Sequence, residues 1–262
     1  MVQAIADSLQ IHYEDLGRGE PALLLLPAWC QSHAVYGSLP EKCAAYRRVL
    51  ALDWRGTGQS DIPTEEYGTQ ELVEDALSVI EASSVQQVVP VSVSHGGRVA
   101  IELRRKLGER IPKLVLLDWL LLPPPPPYMD LVKALAEPDQ WQHARDTLFG
   151  IWLEGVENPD VIEFVQQEMG SYSAEMWMRS GREIAAGYAK ESDPLKALTA
   201  LNPHVPVLHV YSQPPDLEYL SAQKSYAQDN PWFKVHKLKA KSHFPTFELP
   251  DEIATAIEKF MA

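Results

Sequence analysis

The stretch Val88–Gly108, "VVPVSVSHGGRVAIELRRKLG", changes character in mid-course, and that change decides the fold. Its opening residues are apolar with little polar alternation, the pattern of a strand covered on both faces. After the pair Gly96–Gly97 the chain reads as a helix. Ser94 stands at the turn between them, with His95, Gly96 and Gly97 directly behind it. A serine carried on such a turn usually attacks esters. The sequence therefore poses a choice between a nucleophile and a scaffold turned to other chemistry.

A sharp strand-to-helix turn needs a small residue two before the serine and a glycine two after it, so that the hydroxyl is lifted above the sheet edge. Ser92 takes the first position, where glycine is usual, and Gly96 the second. The S-x-S-x-G pattern alone is common by chance. The strand before it and the helix after it make Ser94 a candidate site residue, against the plainer reading of a serine that caps the helix starting at His95.

Similar apolar runs recur at Pro21–Ala28, Arg47–Trp54, Val85–Val93, Lys113–Trp119 and Val205–Ser212, with helical segments between them. Strand and helix in turn imply an α/β fold with a mostly parallel central sheet flanked by helices. "QIHYEDLG" near the start alternates better and suits an antiparallel edge strand, and "KVHKLKAKSHF" reads as the last strand. Ile253, Ile257 and Phe260 share one face of a closing helix. Five prolines, Pro123–Pro127, mark a boundary, because proline continues neither a helix interior nor a central strand. Beyond them come aromatic-rich helical stretches with Trp141, Trp152, Tyr172 and Trp177 and no convincing strand. The expected organisation is a core over residues 1–122, an inserted helical cap over 123–201 and the rest of the core over 202–262.

Composition narrows the class. A chain of 262 residues with 45% hydrophobic content suits one α/β domain with an insertion. Its formal net charge of -13 makes nucleic acid and anionic membrane surfaces poor partners. Cys30 and Cys43 fall in different expected elements and read as reduced thiols. The first residues lack a basic segment followed by an apolar one. The most apolar run, "LVLLDWLLL", is far shorter than the roughly 20 residues of a membrane span. A cytoplasmic protein is expected.

An elbow serine calls for a base, which in the α/β-hydrolase order follows the last strand, and His243 in "KAKSHFPTFELPD" occupies that place. His12, His143, His204, His209 and His236 read as ordinary surface or core residues, while His33 lies just beyond the loop at Trp29. Two carboxylates compete to orient the imidazole. Asp216 stands in the commoner position for a triad acid, but Asp118, set among Leu and Trp, carries a charge that is costly unless paired. The burial argument favours Asp118. The backbone amides of Trp29, after its strand, and of His95, after the serine, are the candidate oxyanion donors. "DWRGTGQSD" at Asp53–Asp61 reads as scaffold. No His, Cys and carboxylate group has metal-ligand spacing in the sequence, and no G-x-G-x-x-G opens a helix, so neither metal nor dinucleotide is expected.

With these residues placed, the chain resembles the cofactor-independent 3-hydroxy-4(1H)-quinolone 2,4-dioxygenases, a branch of the α/β-hydrolase fold. The likeness runs from about Pro21 to Pro250: "LLPAWC" for the loop, "VSVSHGG" for the elbow and "LLDWLLL" for the aspartate strand. "WLEG" and "MWMRSGREIAAGYA" match the cap, and "YSQPPDLEY", "NPWFKVHKL" and "SHFP" the last third. The resemblance implies an enzyme that needs no cofactor, with a small aromatic 3-hydroxy-4-quinolone and dioxygen as partners. In it His243 takes the 3-hydroxyl proton, Asp118 orients the imidazole, and Ser94 hydrogen-bonds the substrate. The amides of Trp29 and His95 hold the C4 oxygen, and Trp152 lines the cap side. The substrate anion then reacts with dioxygen, and the ring opens to an N-acylanthranilate and carbon monoxide. Two positions depart from the family pattern, Gln31 and Val93, each standing where relatives carry histidine; a different rate, pH profile or substrate choice is expected, including room for a bulkier substituent such as a 2-alkyl chain. A monomer or weak homo-oligomer is expected. Two other classes use the same residues: an esterase or lactonase with Ser94, His243 and Asp118 or Asp216, and a silent protein that only binds an aromatic ligand.

Overall fold

The computed structural model describes residues 2–262. Eight strands form one sheet: β1 Val2–Ala6, β2 Leu9–Leu16, β3 Ala22–Leu26, β4 Val49–Leu52, β5 Val88–Val93, β6 Leu114–Leu117, β7 Val207–Tyr211 and β8 Phe233–Lys237. Their spatial order is β1-β2-β4-β3-β5-β6-β7-β8. The pairs from β4 to β8 are parallel, whereas β1–β2 and β2–β4 are antiparallel. The five apolar runs of the sequence contain β3 to β7, and every residue of those five strands is buried. "QIHYEDLG" is antiparallel as expected but lies one strand in from the edge. The edge is β1, whose Val2 and Ile5 are exposed, so its short pattern carries little apolar signal.

Eleven α-helices accompany the sheet among the described residues. In the sheet-forming parts of the chain these are α1 Leu39–Ala44, α2 Thr69–Ala82, α3 Gly96–Leu107, α9 Leu217–Asp229, α10 Pro245–Glu248 and α11 Pro250–Met261. Between β6 and β7 lie α4 Pro126–Leu135, α5 Trp141–Leu153, α6 Pro159–Glu163, α7 Ala174–Lys190 and α8 Pro194–Thr199, with a π-helical turn at Phe164–Met169 and no strand. The proline run does more than interrupt the chain. Pro125 caps α4 and Pro126 and Pro127 open its first turn, where a missing N–H is harmless and φ is already helical. Helix α11 buries Ile253, Ile257 and Phe260. No helix among the described residues is long and apolar enough to cross a membrane.

Strand β3 leads on one side to β4 and on the other to β5, so the winding reverses there. The carboxyl ends of parallel strands beside such a reversal leave a crevice where ligands bind. The loops after β3, β5, β6, β7 and β8 carry Trp29, Ser94, Asp118, Ser212 and His243 to that edge.

Candidate active site

Tight packing dictates the turn at Ser94. A Cβ on Gly96 would stand 2.5 Å from the Pro27 carbonyl oxygen, and one on Gly97 would stand 2.2 Å from the Trp119 ring. Only glycine lets α3 start this close to β3 and β6. Ser94 adopts φ +46°, and its N–H donates to Leu117 O at 2.8 Å. Asp118 and Cys30 likewise have positive φ, so three of the six such non-glycine residues sit on the loops of this edge. Each costs of order 1–3 kcal/mol and persists only where the surroundings enforce it. Ser94 does not cap the helix: His95 is the capping residue of α3, and no side-chain capping bond is present.

Asp118, 1% exposed, is held by a dense set of donors. Its Oδ1 accepts from Ser212 N, from Ser212 Oγ at 3.0 Å and from Gln213 N at 3.0 Å, while Oδ2 meets His243 Nδ1 at 2.8 Å. Three loops thus converge on one carboxylate. Asp216 is elsewhere employed, as the N-cap of α9 accepting from Tyr219 N at 2.6 Å. His243 stacks on Trp152 with centroids 5.7 Å apart and planes 20° from parallel, and Phe244 meets it edge-on. With Nδ1 committed to Asp118, Nε2 is the ring nitrogen left to the cavity. No hydrogen bond joins Ser94 Oγ to His243 among the described residues.

These groups border a cavity of about 1360 Å3 under the α4–α7 helices, lined by Trp29, Gln31, Ser94, His95, Asp118, Trp152 and His243 together with many apolar side chains. The Trp29 and His95 N–H groups have no acceptor within the described protein. Trp29 stacks on Tyr67 at 6.0 Å. Gln31 turns its Oε1 back to accept from Ala28 N at 3.1 Å, bracing the loop that carries Trp29. Val93 does not belong to this set. As the last residue of β5 it points into the hydrophobic core, 3% exposed, because strand alternation sends it away from the crevice.

Several participants were invisible in the sequence. Ser212 and Gln213 follow an ordinary strand, and only the "SQPP" turn hinted at a special loop. Glu168, on the π-helical turn, accepts from Ser32 N at 2.9 Å and Ser32 Oγ at 2.7 Å, tying the helical segment between β6 and β7 to the Trp29 loop. His95 contributes its side chain as well as its amide, Nε2 lying 2.8 Å from Tyr128 Oη of α4. His12, His33 and Asp53, far apart in sequence, also come together, their donor atoms within 4.8 Å of one another. Asp53 is already fully engaged: Oδ1 accepts from His33 N and meets His33 Nδ1 at 2.7 Å, and Oδ2 accepts from Gln59 N at 2.9 Å. The His33–Asp53 pair clasps the segment that follows the Trp29 loop to the end of β4. Cys30 and Cys43 are free and buried, and burial pushes both thiols up, Cys43 to about 12.

The sheet order, the elbow serine and a histidine after the last strand define an α/β hydrolase, and the alpha/beta hydrolase fold family model matches residues 21–230. Among sequence relatives, 2-heptyl-3-hydroxy-4-quinolone dioxygenase AqdC2 of Rhodococcus erythropolis is 33% identical, over 97% of this chain and 96% of its own. The 1H-3-hydroxy-4-oxoquinoline 2,4-dioxygenase of Pseudomonas putida is 34% identical, over 92% and 91%. A solved structure of an AqdC variant in complex with its substrate, addressing recognition and ring-cleavage of the Pseudomonas quinolone signal, superposes with a TM-score of 0.94 at 28% identity, covering 99% of this chain and 98% of that one. The chain belongs to the 3-hydroxy-4-quinolone 2,4-dioxygenase branch of the α/β-hydrolase fold.

Proposed function

We propose that this protein is a ring-cleaving dioxygenase that converts a 2-alkyl-3-hydroxy-4(1H)-quinolone and dioxygen into an N-acylanthranilate and carbon monoxide. The observation that carries the mechanism is the His243 Nδ1–Asp118 Oδ2 contact of 2.8 Å, which leaves Nε2 to the cavity while Ser94 stays unbonded to the imidazole. An acyl-transfer triad passes the serine proton to the base, whereas a base acting on a bound enol needs its free nitrogen turned to the cavity, which is what the Asp118 contact leaves.

In this reading His243 Nε2 removes the 3-hydroxyl proton. Asp118 holds the Nδ1–H tautomer and stabilises the imidazolium. The substrate anion reduces dioxygen, a peroxide forms at C2 and closes onto C4, and ring opening expels C3 with its oxygen as carbon monoxide. Both atoms of dioxygen remain in the acylanthranilate, so the reaction balances without an external reductant. The amides of Trp29 and His95, free of protein acceptors, serve the C4 oxygen as charge gathers there. Ser94 orients the ring, and Gln31 keeps the Trp29 loop in place. Trp152 offers a flat face beside the base for a flat heterocycle.

The size of the cavity supports the alkyl substituent. Its volume of about 1360 Å3 exceeds the roughly 300–1,000 Å3 of common ligand pockets. Leu122, Leu131, Leu135, Leu148 and Ile151 provide an apolar wall that a bicyclic ring alone would leave uncovered. Loss of quinolone absorbance with release of carbon monoxide, dependent on dioxygen and unaffected by a chelator, is the expected result. Ester hydrolysis abolished by a fluorophosphonate, with no quinolone turnover, would overturn the proposal in favour of the serine hydrolase.

A further inference from the structure

On the cap side of the cavity, Tyr128 offers a hydroxyl whose hydrogen-bond partner is an imidazole nitrogen. Tyr128 Oη lies 2.8 Å from His95 Nε2, and that is its one hydrogen bond among the described residues. Which of the two atoms supplies the proton decides what Tyr128 presents to a ligand. A tyrosine that donates to the imidazole has spent its hydrogen. A tyrosine that accepts from the imidazole keeps it.

Three observations choose between them. First, His95 is neutral: burial, reinforced by Arg98 and His243, pushes its pKa down to about 3, so one ring nitrogen carries a hydrogen and the other a lone pair. Second, Nδ1 is buried without a partner. Third, Arg98, one turn along α3, is itself short of acceptors; its Nε and Nη2 are buried and unpartnered, and Nη1 reaches Glu191 only at 3.5 Å. Either tautomer leaves Nδ1 without a partner, but a hydrogen there would add a donor beside the under-satisfied Arg98 guanidinium, whose charge already acts on the ring. A lone pair on Nδ1 is instead favoured by the positive charge that Arg98 places near the ring. The hydrogen therefore rests on Nε2 and points at Tyr128 Oη.

We propose that Tyr128 is a substrate-contact residue, its hydroxyl hydrogen turned into the cavity by His95 to hydrogen-bond an exocyclic oxygen of the bound aromatic anion, with Arg98 acting through His95 as a positioning residue. Tyr128 and His95 both line the cavity. Burial pushes the phenol well above its ordinary range, so it stays a donor at any working pH. Tyr188 meets the Tyr128 ring edge-on, centroids 6.5 Å apart at 86°, and fixes its orientation. The identity of the acceptor rests on the quinolone reading above; the direction of the hydrogen bond does not.

Two measurements test this. In the wild-type protein, ¹⁵N spectra of labelled histidine should show His95 with Nε2 protonated and Nδ1 bare; the opposite tautomer overturns the proposal. In binding titrations without dioxygen, Tyr128→Phe should weaken a 2-alkyl-3-hydroxy-4-quinolone about 10- to 100-fold, the worth of a hydrogen bond to a charged acceptor. The same variant should leave the affinity for a 2-alkylquinoline that lacks both oxygens unchanged. An unchanged hydroxyquinolone affinity, or an equal loss for both ligands, overturns it. Failure of the wild-type protein to bind any hydroxyquinolone would defeat the quinolone reading instead, and the histidine spectrum would then decide the direction of the bond alone.

Discussion

The substitution Asp118→Asn probes the mechanism at its narrowest point. The carboxamide oxygen of the variant would take over the place of Oδ1, since Ser212 N and Gln213 N both need an acceptor there. The carboxamide NH2 then faces His243 Nδ1, which must become the acceptor, and the imidazole hydrogen moves to Nε2. The base loses its lone pair toward the substrate. It also loses a counter-charge: with imidazolium and carboxylate centres about 4 Å apart and an effective dielectric near 20, that attraction is worth about 4 kcal/mol. At 1.36 kcal/mol per decade, kcat should fall about a thousandfold. KM should change little, because the carboxylate is buried behind the imidazole. Steady-state turnover of a 3-hydroxy-4-quinolone under air, with urea unfolding as the check on folding, measures both. A kcat within tenfold of wild type in a folded variant would refute the assignment of Asp118 as the partner of a general base.

Other perturbations follow from the same geometry. Ser94→Ala should retain measurable quinolone turnover, since Ser94 Oγ makes no hydrogen bond to His243; complete loss, with His243→Ala still active, would reverse the roles. Gly97→Ala should lower stability by about 1–3 kcal/mol in chemical denaturation, because the new Cβ would lie 2.2 Å from the Trp119 ring; an unchanged unfolding midpoint would show that the elbow yields. The His33–Asp53 clasp should make stability depend on pH. The Asp53 hydrogen bond, with its charge, raises His33 above 6.5 against burial. Burial raises Asp53, but the His33 hydrogen bond and charge outweigh it and the carboxyl lies below 3.8. The histidine contribution is complete below about pH 6.5 and fades as pH rises through its folded pKa. That of the aspartate is present above about pH 4 and fades on acidification. Stability should therefore be favoured between roughly pH 4 and 6.5, and His33→Gln should flatten the profile; a variant whose unfolding free energy keeps the wild-type pH dependence would exclude the clasp as its source.

The parallel sheet, the elbow and the position of the candidate base are all legible in the chain. Strands buried on both faces must be apolar throughout, and a turn this tight must have glycine at positions 96 and 97, so local chemistry writes both into the chain. His243 was legible because a base follows the last strand, and Asp118 because a carboxylate among Leu and Trp demands a partner. The resemblance carried the substrate class further than any residue did. Which groups meet across elements is set by the folded arrangement alone. Ser212, Glu168 and Tyr128 are polar residues with nothing unusual beside them in sequence, and they matter because loops from β7, the π-helical turn and α4 bring them against Asp118, Ser32 and His95. Val93 failed for the complementary reason: it is adjacent to Ser94 along the chain, yet the pleat of β5 sends its side chain into the core. Hydrogen bonds between distant segments follow from backbone geometry integrated over the whole fold, and no local pattern encodes that sum.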